Sequence, residues 1–167
     1  MADVIELLER FRNGADRMVE ALAETVPDEI DFAPDLQSWS LRQITAHVAD
    51  SEVVAAWRFR RLIADANPTL EAFDEKLWAR ELGYDRRHPS ESLKLFLALR
   101  ADNYDRLVTL GPEDFEKRGT HVERGRVSLL DMLHINVEHT EKHADQIRRV
   151  REQYRAVTPR QATLESK

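Results

Sequence analysis

Two histidines four residues apart, His139 and His143, are the residues of this sequence with the clearest chemical potential. In a helix this spacing places two imidazoles about 40° apart around the axis and about 6 Å apart along it, which suits two ligands of one metal ion. Both lie on an apolar stripe that normally packs into a core, where a polar group without a partner costs roughly 1–3 kcal/mol. The two rings therefore need partners. The stripe comprises Leu129, Met132, Leu133, Asn136, His139, His143, Ile147 and Val150.

A third histidine, His47, lies on the buried stripe of another predicted helix, beside Leu41 and Ile44. If the two helices are neighbours, His47 faces His139 and His143. Three neutral imidazoles hold zinc at about 2.0–2.1 Å and leave one to three coordination positions for water or substrate, which is typical of catalytic sites. We therefore predict a metal site at these three histidines and assign no catalytic residue.

Carboxylates near the three histidines in sequence are candidates for hydrogen bonds to the metal-binding rings. They are Asp50, Glu52 and Glu138. The alternative is that the three histidines are core or cleft residues with ordinary hydrogen bonds. The other histidines are predicted to face solvent, since His88 and His121 fall on loops and His134 lies about 140° around the helix from His139.

Other metal and nucleophile patterns fit this sequence less well. A di-iron carboxylate bundle needs Glu-x-x-His motifs, which the sequence lacks. A zincin needs His-Glu-x-x-His, whereas Thr140 follows His139. Neither a glycine-rich phosphate loop nor a nucleophile-elbow serine is present. A site built from nitrogen and oxygen ligands remains.

The composition limits the other classes of function. A chain of 167 residues is most simply one domain, and with no cysteine it has neither disulfides nor thiolate ligands. The net charge of −6 without a basic block argues against nucleic-acid binding. No apolar run approaches the roughly 20 residues that cross a bilayer, and the N-terminus does not resemble a signal peptide, so we expect no membrane partner and a cytoplasmic location.

The periodicity of the apolar residues predicts an all-α fold with four long helices. A single domain over 1–157 is expected, followed by a frayed tail over 158–167. The connector after the second helix is long enough to cross one end of the bundle and has the pattern of a short helix near 70–78. The loop over 112–127 is predicted to be a solvated connection. The four helices are predicted over about 2–25, 40–65, 91–109 and 128–154.

Two motifs resemble a known family. The first is Trp39-Ser40-x-Arg42-Gln43-Ile44-x-x-His47-x-Ala49-Asp50-x-Glu52, and the second is His139-x-x-x-His143-x-x-Gln146-Ile147. Their order and separation are similar to those of the DinB/YfiT-like superfamily of metalloenzymes, and the resemblance covers essentially the whole chain.

The resemblance implies a four-helix bundle with up-down-down-up topology and a long crossover between its second and third helices. It also implies a divalent metal ion, zinc or nickel first and iron or manganese next, held by His47, His139 and His143. Members of the family often form homodimers, although the outer faces of these helices are charged. Trp57 and Trp78 are candidates for such a contact or for the core.

The resemblance favours a small-molecule transferase that activates a low-molecular-weight thiol at the metal. In that reading Arg58, Arg61 or Arg100 receives the carboxylates of the thiol, and the sequence does not rank them. The alternatives are a metal-dependent hydrolase, with Asp50 as the nearest candidate base, and a binding bundle without catalytic activity.

Overall fold

Four long helices form a bundle in the computed structural model, which describes residues 2–158. They are α1 (Ala2–Leu22), α3 (Leu41–Ala64), α5 (Pro89–Leu107) and α6 (Leu129–Val157). Two short helices, α2 (Pro27–Ile30) and α4 (Glu75–Glu81), lie in the connections, and a 3-10 turn spans Pro112–Glu116. The predicted tail over 158–167 lies almost entirely outside the described residues. The predicted helices are confirmed with ends that differ by up to three residues.

The direction of each helix follows from the residues that touch. On α1 and α6, Arg10 bonds to Glu141 and the carbonyl of Ala21 accepts from Arg151, so these two helices are parallel. Contacts between α3 and α5 follow the same order along both helices, so these two helices are also parallel. His47 and Glu52 of α3 contact α6 in the reverse order, so α3 and α6 are antiparallel. The topology is up-down-down-up, as predicted. Because α3 and α5 run parallel, residues 65–88 must traverse the length of the bundle.

Serine capping boxes begin both helices that carry the predicted metal ligands. The Ser40 hydroxyl accepts from the backbone N–H of Gln43, while the Gln43 side chain accepts from the Ser40 N–H at 3.0 Å. Ser128 and Asp131 make the same reciprocal pair at the start of α6, at 3.0 and 2.8 Å. Such a pair satisfies two backbone groups that a helix start leaves free. It also fixes which turn of each helix the histidines occupy.

A small sheet closes the end of the bundle at which α6 begins. Strand β2 (Arg118–His121) pairs with β3 (Gly125–Ser128) as an antiparallel hairpin and with β1 (Thr69–Leu70) in parallel. The prediction of a solvated loop over 112–127 was therefore wrong: residues 118–121 and 125–127 belong to strands, and Phe115 is buried. Gly119 permits the contact, because a Cβ there would lie 2.6 Å from the carbonyl oxygen of Pro68. The hairpin thus packs against the crossover.

The bundle core has two apolar clusters with a polar layer between them. One cluster gathers around Phe11, Phe59 and Leu133, and the other around Met18, Ile44 and Ile147. Within residues 2–158, no helix combines the length and the apolar composition needed to cross a membrane.

The polar layer centres on an ion pair between Arg100 and Glu52, whose side chains are 2% and 1% exposed. The Arg100 guanidinium also donates to Thr140 Oγ1 at 2.7 Å and lies over the Phe11 ring at 4.0 Å. The Glu52 carboxylate accepts from the side-chain amides of Asn103 and Asn136. All four long helices therefore meet in one hydrogen-bonded layer.

Candidate metal centre

The structure brings His47, His139 and His143 together beside the polar layer. The Nε2 atom of His139 lies 3.0 Å from that of His47 and 3.1 Å from that of His143. His47 and His143 are buried, while His139 is half-buried. The helical faces read from the sequence therefore placed all three rings correctly. Whether they bind a metal remains a prediction.

The positions of the three Nε2 atoms fit a divalent ion better than they fit hydrogen bonds between the rings. Two nitrogen ligands about 2.0–2.1 Å from zinc, at an angle of roughly 90–110°, are about 2.9–3.4 Å apart. A neutral Nε2 carries either one proton or one lone pair, so His139 can bond well to only one of its two neighbours. Ring-to-ring hydrogen bonds would thus leave His47 Nε2 with only the Ser51 hydroxyl, at a long 3.4 Å, whereas an ion satisfies all three Nε2 atoms. Imidazole ligands suit zinc, nickel, copper and iron.

Burial keeps the cluster neutral. It lowers the pKa of His47 to about 3 and that of His139 to about 2, with a further contribution from the neighbouring His143. Burial also lowers the pKa of His143, against a hydrogen bond to Gln146 that raises it. Neutral imidazoles present lone pairs, which is the state that a metal requires.

The hydrogen bonds around the rings differ from those predicted. His143 Nδ1 meets Gln146 Oε1 at 2.8 Å, so an amide rather than a carboxylate orients this ring. Asp50 pairs with Arg87 at 2.6 Å, and Glu52 belongs to the polar layer. Among the described residues, none of the candidates Asp50, Glu52 and Glu138 hydrogen-bonds to a histidine of the cluster, and Nδ1 of His47 has no partner.

Two aromatic rings lie close to His47. The Trp39 ring lies 4.9 Å from it and the Phe73 ring 6.4 Å, measured between centroids. Phe73 packs in turn against Trp78 at 4.6 Å. Trp78 therefore supports the site, whereas Trp57 is 59% exposed on the outer surface. These rings keep water away from His47, which is fully buried.

Two openings reach the cluster. A cleft of about 130 Å³ is lined by His139, Asn136, Ser51 and Phe73 among others. A larger hollow of about 470 Å³ is lined by His143, Gln146, Trp39 and Lys142 among others. Glu75, the first residue of α4, lines both openings. Small molecules thus have access to the cluster past Glu75 through either opening.

Basic residues line one wall of the cleft beside His139. Of the three arginines that the sequence did not rank as ligands for a substrate carboxylate, only one lies there. Arg58 lines this cleft, together with Arg124 and His121. Arg61 instead pairs with Asp65 and stacks on Trp57 at the surface, and Arg100 is committed to Glu52.

His121 is only 3% exposed, so the prediction that it faces solvent was wrong. It lies on β2, whose pairing with the crossover places it at the cleft. His88 and His134 are exposed, as predicted. Glu75 and Gln146 were not predicted as site residues. Gln146 shares a helical face with His143 at a spacing of three residues, which was a usable signal, whereas Glu75 reaches the site only through the path of the crossover.

Comparisons with known proteins agree with this architecture. The profile of the DinB superfamily matches residues 8–147. A protein of Oceanobacillus iheyensis is 32% identical over 142 residues, which cover 82% of this chain and 81% of the relative. A protein of Bacillus mycoides is 26% identical over 151 residues, covering 88% and 87%. Both relatives are named metal-dependent hydrolases, and the names mark this activity as inferred.

A solved structure shares the fold. It is YfiT from Bacillus subtilis, described as a probable metal-dependent hydrolase with an unusual four-helix bundle topology. The TM-score is 0.84 at 22% identity, over 90% of this chain and 87% of that one.

Proposed function

Because the chain belongs to the DinB superfamily, we propose that its three-histidine cluster binds a divalent metal ion and that the loaded site hydrolyses a small-molecule substrate. The observation that carries the proposal is the convergence of three Nε2 atoms, 3.0 and 3.1 Å apart, at the inner end of a cleft. The names of the relatives support hydrolysis over thiol transfer.

A bound ion would act as a Lewis acid and would lower the pKa of water toward neutral. The chain supplies the remaining functions. Gln146 holds the His143 ring through Nδ1, and Trp39 and Phe73 keep bulk water away from His47. Glu75 is our candidate general base, because its carboxylate lines both openings to the cluster. Asp50, the candidate from sequence, is instead engaged by Arg87.

The first test is the metal content per chain, by elemental analysis of protein prepared without a chelator or a polyhistidine tag. We expect near-stoichiometric metal in the wild type and its loss in His47→Ala and His143→Ala. His134→Ala is the matched control, because His134 lies exposed on the same helix. A wild type that takes up neither zinc, nickel nor manganese, or ligand variants that retain full metal, would refute the metal site.

The second test is turnover of small esters and amides by the metal-loaded protein. Glu75→Gln should lower kcat by roughly 10²- to 10⁴-fold with unchanged metal content, the range expected on loss of a general base. Glu81→Gln, at the exposed far end of the same helix, should leave kcat unchanged. Equal kcat values in the two variants would remove Glu75 from the mechanism.

Thiol transfer is the second candidate function. The specific observation in its favour is that the chain has no cysteine, so any thiol nucleophile must come from outside. Consumption of an electrophile that requires an added low-molecular-weight thiol, without ester or amide hydrolysis in its absence, would replace the hydrolase by the transferase.

A further inference from the structure

We propose that Arg58 and His121 form an anion-binding subsite in the cleft beside His139, and that this subsite receives the carboxylate group of a small substrate. This proposal rests on the proposed hydrolase activity, because it names the substrate class of the same site. It concerns a wall of the cleft that takes no part in holding the metal.

Arg58 is a cation that forms no ion pair with any residue of 2–158. Its Nη2 donates to the backbone carbonyl of Glu71 in the crossover, which anchors the guanidinium, while its Nε is buried without a hydrogen-bond partner among the described residues. Burial and the neighbouring Arg124 both lower the pKa of Arg58, and Glu123 acts against them. Since a buried charge is stable when it is paired, the environment of Arg58 favours an anion.

His121 offers a second donor to the same cleft. Its Nδ1 accepts the backbone N–H of Glu123 at 3.2 Å, so the neutral ring carries its proton on Nε2. Burial lowers the pKa of His121, as do Arg58 and Arg124, and this keeps the ring neutral. A neutral imidazole N–H beside a guanidinium is a suitable pair of donors for a carboxylate.

Two carboxylates also line this cleft, Glu75 and Glu123. Both are exposed, and neither forms an ion pair or a side-chain hydrogen bond with Arg58 among the residues described. Glu75 lines the second opening as well, which places it on the rim. The buried His121 ring and the buried Nε of Arg58 thus contrast with the two exposed carboxylates.

The size of the cleft limits the ligand. Its volume of about 130 Å³ is well below the roughly 300–1,000 Å³ of pockets for drug-sized ligands. His139 and Arg58 line the same space, so the carboxylate and the reacting bond must belong to one short molecule. The inferred substrate is therefore a small ester or amide that carries a carboxylate.

The test is an NMR titration of the full chain as purified, with propionate as the probe and sodium chloride at matched ionic strength as the blank. The reporters are the Nε–H resonance of Arg58 and the Cε1–H resonance of His121. We expect saturable shifts of both in the wild type. In Arg58→Gln, the His121 resonance should report a dissociation constant at least tenfold higher.

Arg61→Gln is the matched control, because Arg61 lies on the same helix at the surface and should bind propionate as the wild type does. His121→Asn retains an acceptor for the Glu123 N–H but lacks the Nε2 donor, and should weaken binding severalfold. Circular dichroism of each variant establishes that it is folded.

Three results would overturn the subsite: no saturable shift in the wild type, equal affinity in Arg58→Gln, or tighter binding of inorganic phosphate than of propionate at the same reporters. Metal content is measured on the same samples. Propionate binding through Arg58 without metal uptake would refute the proposed hydrolase but not the subsite. Stoichiometric metal without propionate binding would refute the subsite but not the hydrolase.

Discussion

At the scale of single residues, the cluster depends on groups that keep three imidazoles neutral and correctly turned. Burial disfavours the imidazolium form, and Gln146 Oε1 receives the Nδ1 proton of His143, so Nε2 presents its lone pair to the cluster. His139 has the one half-buried ring and lies where the cleft begins. The cluster is thus closed by the core on one side and open to ligands on the other.

We predict that Gln146→Leu weakens zinc binding by roughly 10- to 100-fold, the usual effect of losing a hydrogen bond that orients a metal ligand. Competition with a chromophoric chelator measures the affinity. Asp145→Asn is the control, because the neighbouring Asp145 pairs with Arg148 at the surface. An affinity unchanged in Gln146→Leu would show that packing alone orients the His143 ring.

The sequence predicted some residues of the site and not others for a physical reason. His47, His139 and His143 lie on strongly periodic helices, where position around the axis determines burial. His121 lies on a strand of four residues among charges and glycines, and its burial depends on pairing with a segment about fifty residues earlier. No local pattern encodes that contact.

At the scale of the elements, the four long helices are held together by the polar layer as well as by the apolar clusters. Glu52 of α3 and Arg100 of α5 form its centre, with Thr140 of α6 and the Phe11 carbonyl of α1 as further partners. Gly14 permits this approach of α1, because a Cβ there would lie 3.1 Å from Arg100 Nη1. The layer fixes the register of α3 against α6, and hence of His47 against His139.

We predict that Glu52→Gln destabilises the protein by roughly 3–5 kcal/mol, because it leaves the Arg100 charge buried without compensation. Chemical denaturation measures the change. Asp102→Asn is the control: it removes an exposed carboxylate that pairs with Arg106 and Arg60 and should change the stability far less. Adding Arg100→Met to Glu52→Gln should restore part of the loss, and a double variant less stable than Glu52→Gln would contradict the argument from charge.

The long helices could be predicted from sequence, but the small sheet could not. Each long helix repeats its apolar face over at least five turns, and Ser40 and Ser128 mark two of the starts. Strand β1 has two residues, too few for a recognisable alternation. Its existence follows from the path of the crossover, which depends on the packing of the whole bundle.

At the scale of the whole molecule, the topology itself builds the entrance to the site. Because α3 and α5 are parallel, the chain between them must run the length of the bundle, and this run carries Phe73 against His47 and Glu75 to the rim of both openings. The same segment supplies β1, which pairs with the strand that holds His121. If α3 and α5 were antiparallel and joined by a short turn, no connecting segment would cover the cluster.

The neutral cluster links the stability of the whole fold to pH. A histidine whose pKa is lowered by folding stays unprotonated in the native state, whereas the unfolded chain takes up a proton below about pH 6.5. Acidification therefore favours unfolding, and the metal-free protein should lose about 1.5 kcal/mol for each of His47 and His139 between pH 6.5 and 5. A divalent ion at 100 times its dissociation constant adds about 2.7 kcal/mol near neutral pH, and this gain should also vanish in acid.

Urea unfolding of the metal-free chain at a series of pH values measures this dependence, because the slope of the unfolding free energy against pH counts the protons taken up. Carboxylates contribute to that slope in the wild type, so the comparison is with His139→Leu, which keeps them all. The variant should take up one proton fewer on unfolding near pH 5. Equal slopes would mean that the native cluster accepts a proton on the His139 ring, and the account of three neutral imidazoles facing one ion would be wrong.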